Sequence, residues 1–214
     1  EKSIVLDMSG EIGTAAVQAP SQIAFTVKVR GKASHAGFAP QDGVHAIRIA
    51  ATAIAEMAIG RIGDDTTVNV GHIEGGRASN IVPDYCEVSG ELRSFSHKKA
   101  LEELAKVEQI FAKEAEKCGG SIEFIRDICY QAYKTDENES VVKEFQKACT
   151  ACGIKSSLIA TFGGSDQNKM SEHGIPGIVM ASAMHQVHSC QEYTEVSEMA
   201  QVAGIVSELL QMKE

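Results

Sequence analysis

The sequence predicts an α/β chain of 214 residues in which a compact β-α-β-β-α-β unit interrupts a second α/β domain. Three observations carry that reading. Across 21–129 the hydrophobic pattern switches between the strand period and the helix period. Beyond 130 the order becomes helix, strand, strand, helix with short loops, which suits one flank of a parallel sheet. The sequence also opens on an apolar run, Ile4-Val5-Leu6, that fits a strand of the same sheet and ends at Asp7. The expected segments are 1–18, a strand and loop of the outer domain; 19–130, the inserted unit; and 131–214, the rest of the outer domain.

Each element of the insert has its own signature. Ile23, Phe25, Val27 and Val29 alternate with Gln22, Thr26, Lys28 and Arg30, the pattern of a half-buried strand. From Asp42 to Ala58 the stripe Val44, Ile47, Ala51, Ile54 and Ala58 predicts a helix. Strands follow at 66–73 and 85–95; in the second, Cys86, Val88 and Leu92 share one face and Glu87, Glu91 and Arg93 the other. Residues 98–117 are rich in Ala, Lys, Glu and Leu and read as a helix, closed by Cys118-Gly119-Gly120. Ile122, Phe124 and Ile128 mark the last strand. In the outer domain, Asp136 and Glu139 suggest a capping box for a helix carrying Val141, Val142, Phe145, Ala148 and Cys149. Short strands at 156–160 and 177–181 precede a closing helix at 195–212.

A formal charge of −9 gives no electrostatic footprint for nucleic acid or for an anionic membrane surface. No apolar run approaches the ~18 residues a membrane-spanning helix needs, and no export segment is visible. Six cysteines without a close framework suit a reducing cytoplasm. Cys149 and Cys152 lie three apart on a helix with Phe145 and Ala148 and read as packing residues rather than a metal or redox pair.

Several residues could carry chemistry. Asp7 stands at a strand end, where α/β sheets present functional groups, although taken alone an Asp before Ser9 and Gly10 is more often a turn residue. His188 shares a polar loop with His185. Thr161-Phe162-Gly163-Gly164-Ser165-Asp166 follows a strand as a Gly-rich turn; its Ser165 and Asp166 could simply cap a short helix. The turn is neither a phosphate loop nor a dinucleotide fingerprint, and neither a His-Glu-x-x-His helix nor a Gly-x-Ser-x-Gly elbow is present. His45, His72, His97 and His173 have no evident partner.

The order of these segments adds a further point. Val5-Leu6-Asp7-x-Ser9-Gly10, Gly31-Lys32-Ala33-Ser34-His35-Ala36-Gly37 and Gly75-Gly76-Arg77-Ala78-Ser79-Asn80-Ile81-Val82-Pro83 occur in sequence. Glu91-Leu92-Arg93-Ser94, Gly163-Gly164-Ser165-Asp166 and Val187-His188-Ser189-x-x-Glu192-Tyr193 follow. Together they resemble the later part of peptidase-T-like metallopeptidases of the di-zinc aminoacylase and carboxypeptidase superfamily, over essentially the whole chain. The resemblance implies part of a zinc-exopeptidase-like parallel-sheet domain with an inserted split βαβ, ferredoxin-like dimerisation domain.

It also implies roles. Asp7 and His188 would each be a terminal ligand to one of two zinc ions. His35 would reach the active site of the neighbouring subunit and stabilise the oxyanion. Asn80 and Arg93 would bind substrate, Arg93 taking a peptide carboxylate, and Gly163, Gly164 and Ser165 would form a substrate-contacting turn. The outer alternatives are an Asx turn for Asn80, a surface pair with Glu91 or Glu87 for Arg93, and an exposed loop histidine for His35. The family's early His-x-Asp, bridging Asp and Glu-Glu pair would precede Glu1, so the expectation is an intact zinc-dependent tripeptidase-like parent and an inactive 214-residue chain. An acylamino-acid or dipeptide hydrolase, or a non-catalytic dimerising module, are the alternatives. The expected assembly is a homodimer through 19–130, acting on short peptides.

Overall fold

The computed structural model describes residues 1–212; Lys213 and Glu214, the end of the 131–214 segment, lie outside the described residues. The chain divides into two compact units, Ser21–Cys129 and a second made of Glu1–Pro20 with the chain from Tyr130 onward.

The discontinuous unit is built on a five-stranded sheet. Its strands are β1 (Ser3–Met8), β2 (Thr14–Ala19), β8 (Tyr133–Lys134), β9 (Ser157–Ala160) and β10 (Gly177–Ala181), ordered β1-β10-β2-β8 with β9 also against β2. The expectation of a parallel sheet is corrected here. β1 runs parallel to β10 and β9 parallel to β2, but β2 is antiparallel to both β10 and β8. The sheet is mixed because Thr14–Ala19, expected as loop, forms a central strand. Its Ala15, Ala16 and Ala19 are buried, and such small residues let neighbouring layers approach closely.

Helices α3 (Ser140–Ala151), α4 (Asp166–Glu172) and α5 (Val196–Gln211) complete this unit. Val141, Val142, Phe145, Ala148 and Cys149 of α3 meet Ile178 and Met180 of β10 and Val202 and Ile205 of α5 in one apolar cluster. Cys149 is thus a core residue, as its helical spacing suggested, and all six cysteines are free. The expected capping box at α3 does not form. Glu139 stands at the N-cap without a side-chain bond, while Asp136 Oδ1 accepts the Asn138 N–H at 2.7 Å. The local Asx turn wins because its donor is only two residues away.

The continuous unit contains β3 (Ser21–Arg30), α1 (Ala46–Glu56), β4 (Gly60–Ile62), β5 (Thr66–Gly75), β6 (Tyr85–Ser94), α2 (His97–Lys117) and β7 (Ser121–Tyr130), the last residue of β7 crossing into the other unit. The strand order is β4-β5-β6-β3-β7. β3 and β6 pair antiparallel from Ser21↔Ser94 to Arg30↔Tyr85. That register puts Ile23, Phe25, Val27 and Val29 beside Cys86, Val88 and Leu92 on one face. Ala46, Ile49, Ala50 and Ala53 of α1 and Leu104, Val107 and Phe111 of α2 cover it. Phe25 also stacks on Phe124 of β7, with ring centroids 6.0 Å apart.

The start of one helix and one extra strand differ from expectation. A 3-10 turn occupies Pro40–Asp42, so α1 begins only at Ala46, where His45 Nδ1 accepts the Arg48 N–H at 3.2 Å as N-cap. The short β4 was not anticipated. Among the described residues, no helix is long and apolar enough to cross a membrane.

Candidate functional site

In the discontinuous unit a cavity of about 380 Å³ is lined by Asp7, Gly163, Gly164, Ser165, His188 and Glu192, among others. Three separate stretches of chain supply these groups. β1 brings Asp7 through a bulge: pairing passes from Val5↔Val179 to Met8↔Ala181, so β1 carries one residue more than β10 over that span. Asp7 is exposed at this irregular strand end.

The second stretch is the turn after β9. Ser165 is the N-cap of α4: its Oγ accepts the Gln167 N–H at 3.3 Å, and its own N–H donates to Asn168 Oδ1 at 3.1 Å. The capping alternative for Ser165 is therefore realised, while Ser165 also faces the cavity. A Cβ on Gly164 would collide with the end of the Tyr130 side chain, so any side chain there would force the ring or the turn to shift. The third stretch follows β10. Ala183, Gln186 and His188 have φ of 60°, 49° and 63°, left-handed conformations that side chains disfavour. The loop is held by reciprocal backbone bonds between His185 and Tyr193 at 3.1 and 3.2 Å, by stacking of their rings, and by the His188 N–H donating to Glu192 Oε2 at 3.2 Å. His185 Nε2 also meets Glu198 of α5. Strain of this kind is kept only where its surroundings over-determine it.

In the other unit, His35 and Asn80 are brought onto adjoining strands of loop. His35 bridges Ile81, the Ala36 N–H donates to the Asn80 carbonyl at 2.9 Å, and the Val82 N–H donates to the Ser34 carbonyl at 2.9 Å. His35 Nδ1 accepts the N–H groups of Gly37 at 3.1 Å and Phe38 at 3.2 Å. A ring nitrogen that accepts carries no proton, so neutral His35 has its N–H on Nε2. Arg93 lies on the polar face of β6, and its Nε donates to Glu91 Oε1 at 2.8 Å. Gln22 also donates to Glu91, at 2.7 Å. The pairing with Glu91 that the strand pattern allowed is present.

Asp7 and His188 are suitable zinc donors, but one tetrahedral zinc needs about four ligands and a pair of ions needs more. Among the described residues, no group of three or more His, Cys, Asp or Glu side chains could hold a metal ion. On their own the donors present do not fit a two-zinc centre. Glu192 lines the cavity, and Tyr130 and Asn168 touch its Gly163–Ser165 turn, without having been assigned any role from sequence. Only Glu192 had a signal, its place in the His188-Ser189-x-x-Glu192 spacing.

This arrangement has close counterparts. The chain is 34% identical over 206 residues to the uncharacterised protein YqjE of Bacillus subtilis (strain 168), covering 96% of this chain and 56% of that one. The crystal structure of the aminopeptidase PepT from Bacillus cereus ATCC 10987 superposes with a TM-score of 0.90 at 36% identity, over 98% of this chain and 57% of that one. A tripeptidase from Staphylococcus aureus subsp. aureus Mu50 gives a TM-score of 0.94 at 31% identity, over 98% and 56%. Residues 20–118 match the family model of the M20 peptidase dimerisation domain. The chain matches the M20 peptidase superfamily in sequence and fold. It spans a little over half the length of each of these three proteins.

Proposed function

We propose that, within a protein of the length of its M20 relatives, these residues serve a zinc-dependent exopeptidase that removes residues from short peptides, with tripeptides as the preferred substrates. The observation that carries this reading is the single cavity that gathers Asp7, the Gly163–Ser165 turn and His188 from three parts of the chain. Asp7 and His188 would each supply a terminal ligand to one of two zinc ions, with the remaining ligands and the general base supplied by residues outside this set. A metal pair completed by those other ligands would supply Lewis-acid activation of the peptide carbonyl and of water. The turn contacts the substrate backbone through Gly163, Gly164 and Ser165.

His35 supplies the oxyanion donor to the neighbouring subunit. Its Nε2–H tautomer, fixed by two backbone N–H groups on Nδ1, supports that role. Asn80, on the adjoining loop, binds the substrate beside it. Arg93 takes the terminal carboxylate by exchanging Glu91 for the ligand, its planar fork suiting either partner. The insert acts as a split βαβ, ferredoxin-like dimerisation domain. β4 pairs only with Thr66–Val68, and Ile73 further along β5 is 47% exposed, which supports an edge for a second copy. The six free cysteines favour a cytoplasmic setting.

The test is hydrolysis by the full-length protein of a tripeptide, a dipeptide and an N-acyl amino acid, with and without a chelator. Chelator-sensitive release from the tripeptide is expected, lost in Asp7→Ala and His188→Ala. Preference for the N-acyl substrate would replace the peptidase assignment with an amidohydrolase one. Sustained turnover by the 214-residue chain alone would sink the assignment of the remaining ligands to outside it.

A further inference from the structure

We infer that Asn168 is a positioning residue that ties the Gly163–Ser165 turn to both segments through which the chain leaves and re-enters the discontinuous unit. The inference rests on the reading of that turn as substrate-contacting. Asn168 is fully buried. Its Nδ2 donates to the carbonyls of Pro20 at 3.0 Å and Gln131 at 2.8 Å, and its Oδ1 accepts the Ser165 N–H at 3.1 Å. The amide orientation follows from these partners, because nitrogen faces two acceptors and oxygen faces a donor.

The three bonds have an unusual distribution. Pro20 is the last residue before the chain enters the continuous unit, and Gln131 lies one residue past the point where it returns. Ser165 lines the cavity with Asp7 and His188. One side chain thus sets the cavity turn against both crossings. A second bond from α4 reinforces the grip, as Glu172 Oε1 accepts the Gln131 N–H at 2.8 Å. Gln131 is therefore held at its N–H and at its carbonyl by the same short helix. Displacing either crossing shifts Asn168, and with it the Ser165 N–H and the turn.

The neighbour Gln167 provides an internal control. It is equally buried, but its side chain bonds to Ser3 Oγ, to Ser171 Oγ at 3.0 Å and to the Ile175 carbonyl at 3.2 Å, none of them in the turn or at a crossing. A generic loss of a buried amide is the same for both residues; coupling is particular to Asn168.

The experiment compares full-length wild type, Asn168→Asp and Gln167→Glu by amide hydrogen exchange and by steady-state hydrolysis of a tripeptide. Asn168→Asp replaces the two donors with a carboxylate oxygen facing two carbonyls. Exchange should quicken about tenfold or more in all three segments, as expected when the segments held by these bonds open locally. The amides concerned are the Ser165 N–H and those flanking the two freed carbonyls, Ala19 and Ser21 beside Pro20 (itself without an amide hydrogen) and Gln131 with Ala132. kcat should fall with little change in KM. Gln167→Glu, with a comparable loss of unfolding midpoint, should leave those three segments and kcat close to wild type. Quickened exchange in only one segment, or the same pattern from Gln167→Glu, overturns the inference. If Asn168→Asp does not fold, Asn168→Ser retains one donor and should show the same three segments at smaller amplitude. Absence of turnover in wild type would count against the peptidase reading, while the exchange pattern would still decide the coupling.

Discussion

Gly164→Ala tests how rigidly the cavity turn is held. A Cβ built on Gly164 would fall against the Oη and Cζ of Tyr130, 2.6 Å from Cε2. Real Cβ contacts do not approach so closely, so the ring or the turn must move by about an ångström. Overpacking of this kind costs roughly 1–3 kcal/mol. For a domain of this size each kcal/mol lowers the unfolding midpoint by roughly 2–4 °C. The neighbouring position sets the scale, because a Cβ on Gly163 meets only Thr161 Oγ1, at 3.4 Å, and Gly163→Ala should be near neutral for stability. The assay is thermal unfolding of a double-mutant cycle. In a Tyr130→Ala background the obstruction is gone, and the cost of Gly164→Ala should shrink by at least about 1 kcal/mol. Tyr130→Phe removes Oη but keeps Cζ and Cε2 in place, and should relieve only part of the cost. An equal cost of Gly164→Ala with and without the Tyr130 ring would refute the argument.

Thiol accessibility and acid sensitivity give two further tests. Burial pushes the Cys149 thiol up to about 11, with Cys152 adding to the shift, and raises Cys86 as well, whereas Cys118 and Cys190 are exposed. Maleimide at neutral pH should label Cys118 and Cys190 first and reach Cys86 and Cys149 only with denaturant; labelling of native Cys149 as fast as Cys190 would contradict the core placement. The Gln131 N–H, helped by Lys169, holds Glu172 below its ordinary 4.5. A carboxyl depressed in the folded state adds stability above its unfolded value and loses it as pH falls through the folded one. The wild-type midpoint should therefore drop more than that of Glu172→Gln between about pH 5 and about pH 3, and parallel curves would show that Glu172 contributes nothing there.

The insert was legible because its strands alternate over ten residues and its helices carry uninterrupted stripes, as Ile23–Val29 and Leu104–Phe111 show. β2 escaped notice because Thr-Ala-Ala-Val-Gln-Ala has weak strand propensity; only its two buried faces and its partners β9 and β10 make it a strand. That omission also hid the mixed character of the sheet. Asp136 and Glu139 matched a capping pattern, but a nearer backbone donor at Asn138 took the Asp136 carboxylate. At the site, Asp7, His188 and the Gly163–Ser165 turn stood out through the order of short motifs. Asn168 could not, since its carbonyl partners lie 148 and 37 residues away and are backbone groups that any residue type could supply.

The left-handed residues of the His188 loop bear on how this protein would respond to selection. Ala183, Gln186 and His188 each sit where glycine would rest more easily. Substitutions that relax this loop would be among the easiest routes to a sturdier fold, yet they would free the imidazole from its imposed direction. A screen for thermal tolerance alone should therefore enrich glycine at the exposed position 186 rather than at 183, whose methyl packs in the core, and a screen that also demands an ordered His188 should reject it. The loop is a place where robustness and precision pull on the same few torsion angles in opposite directions.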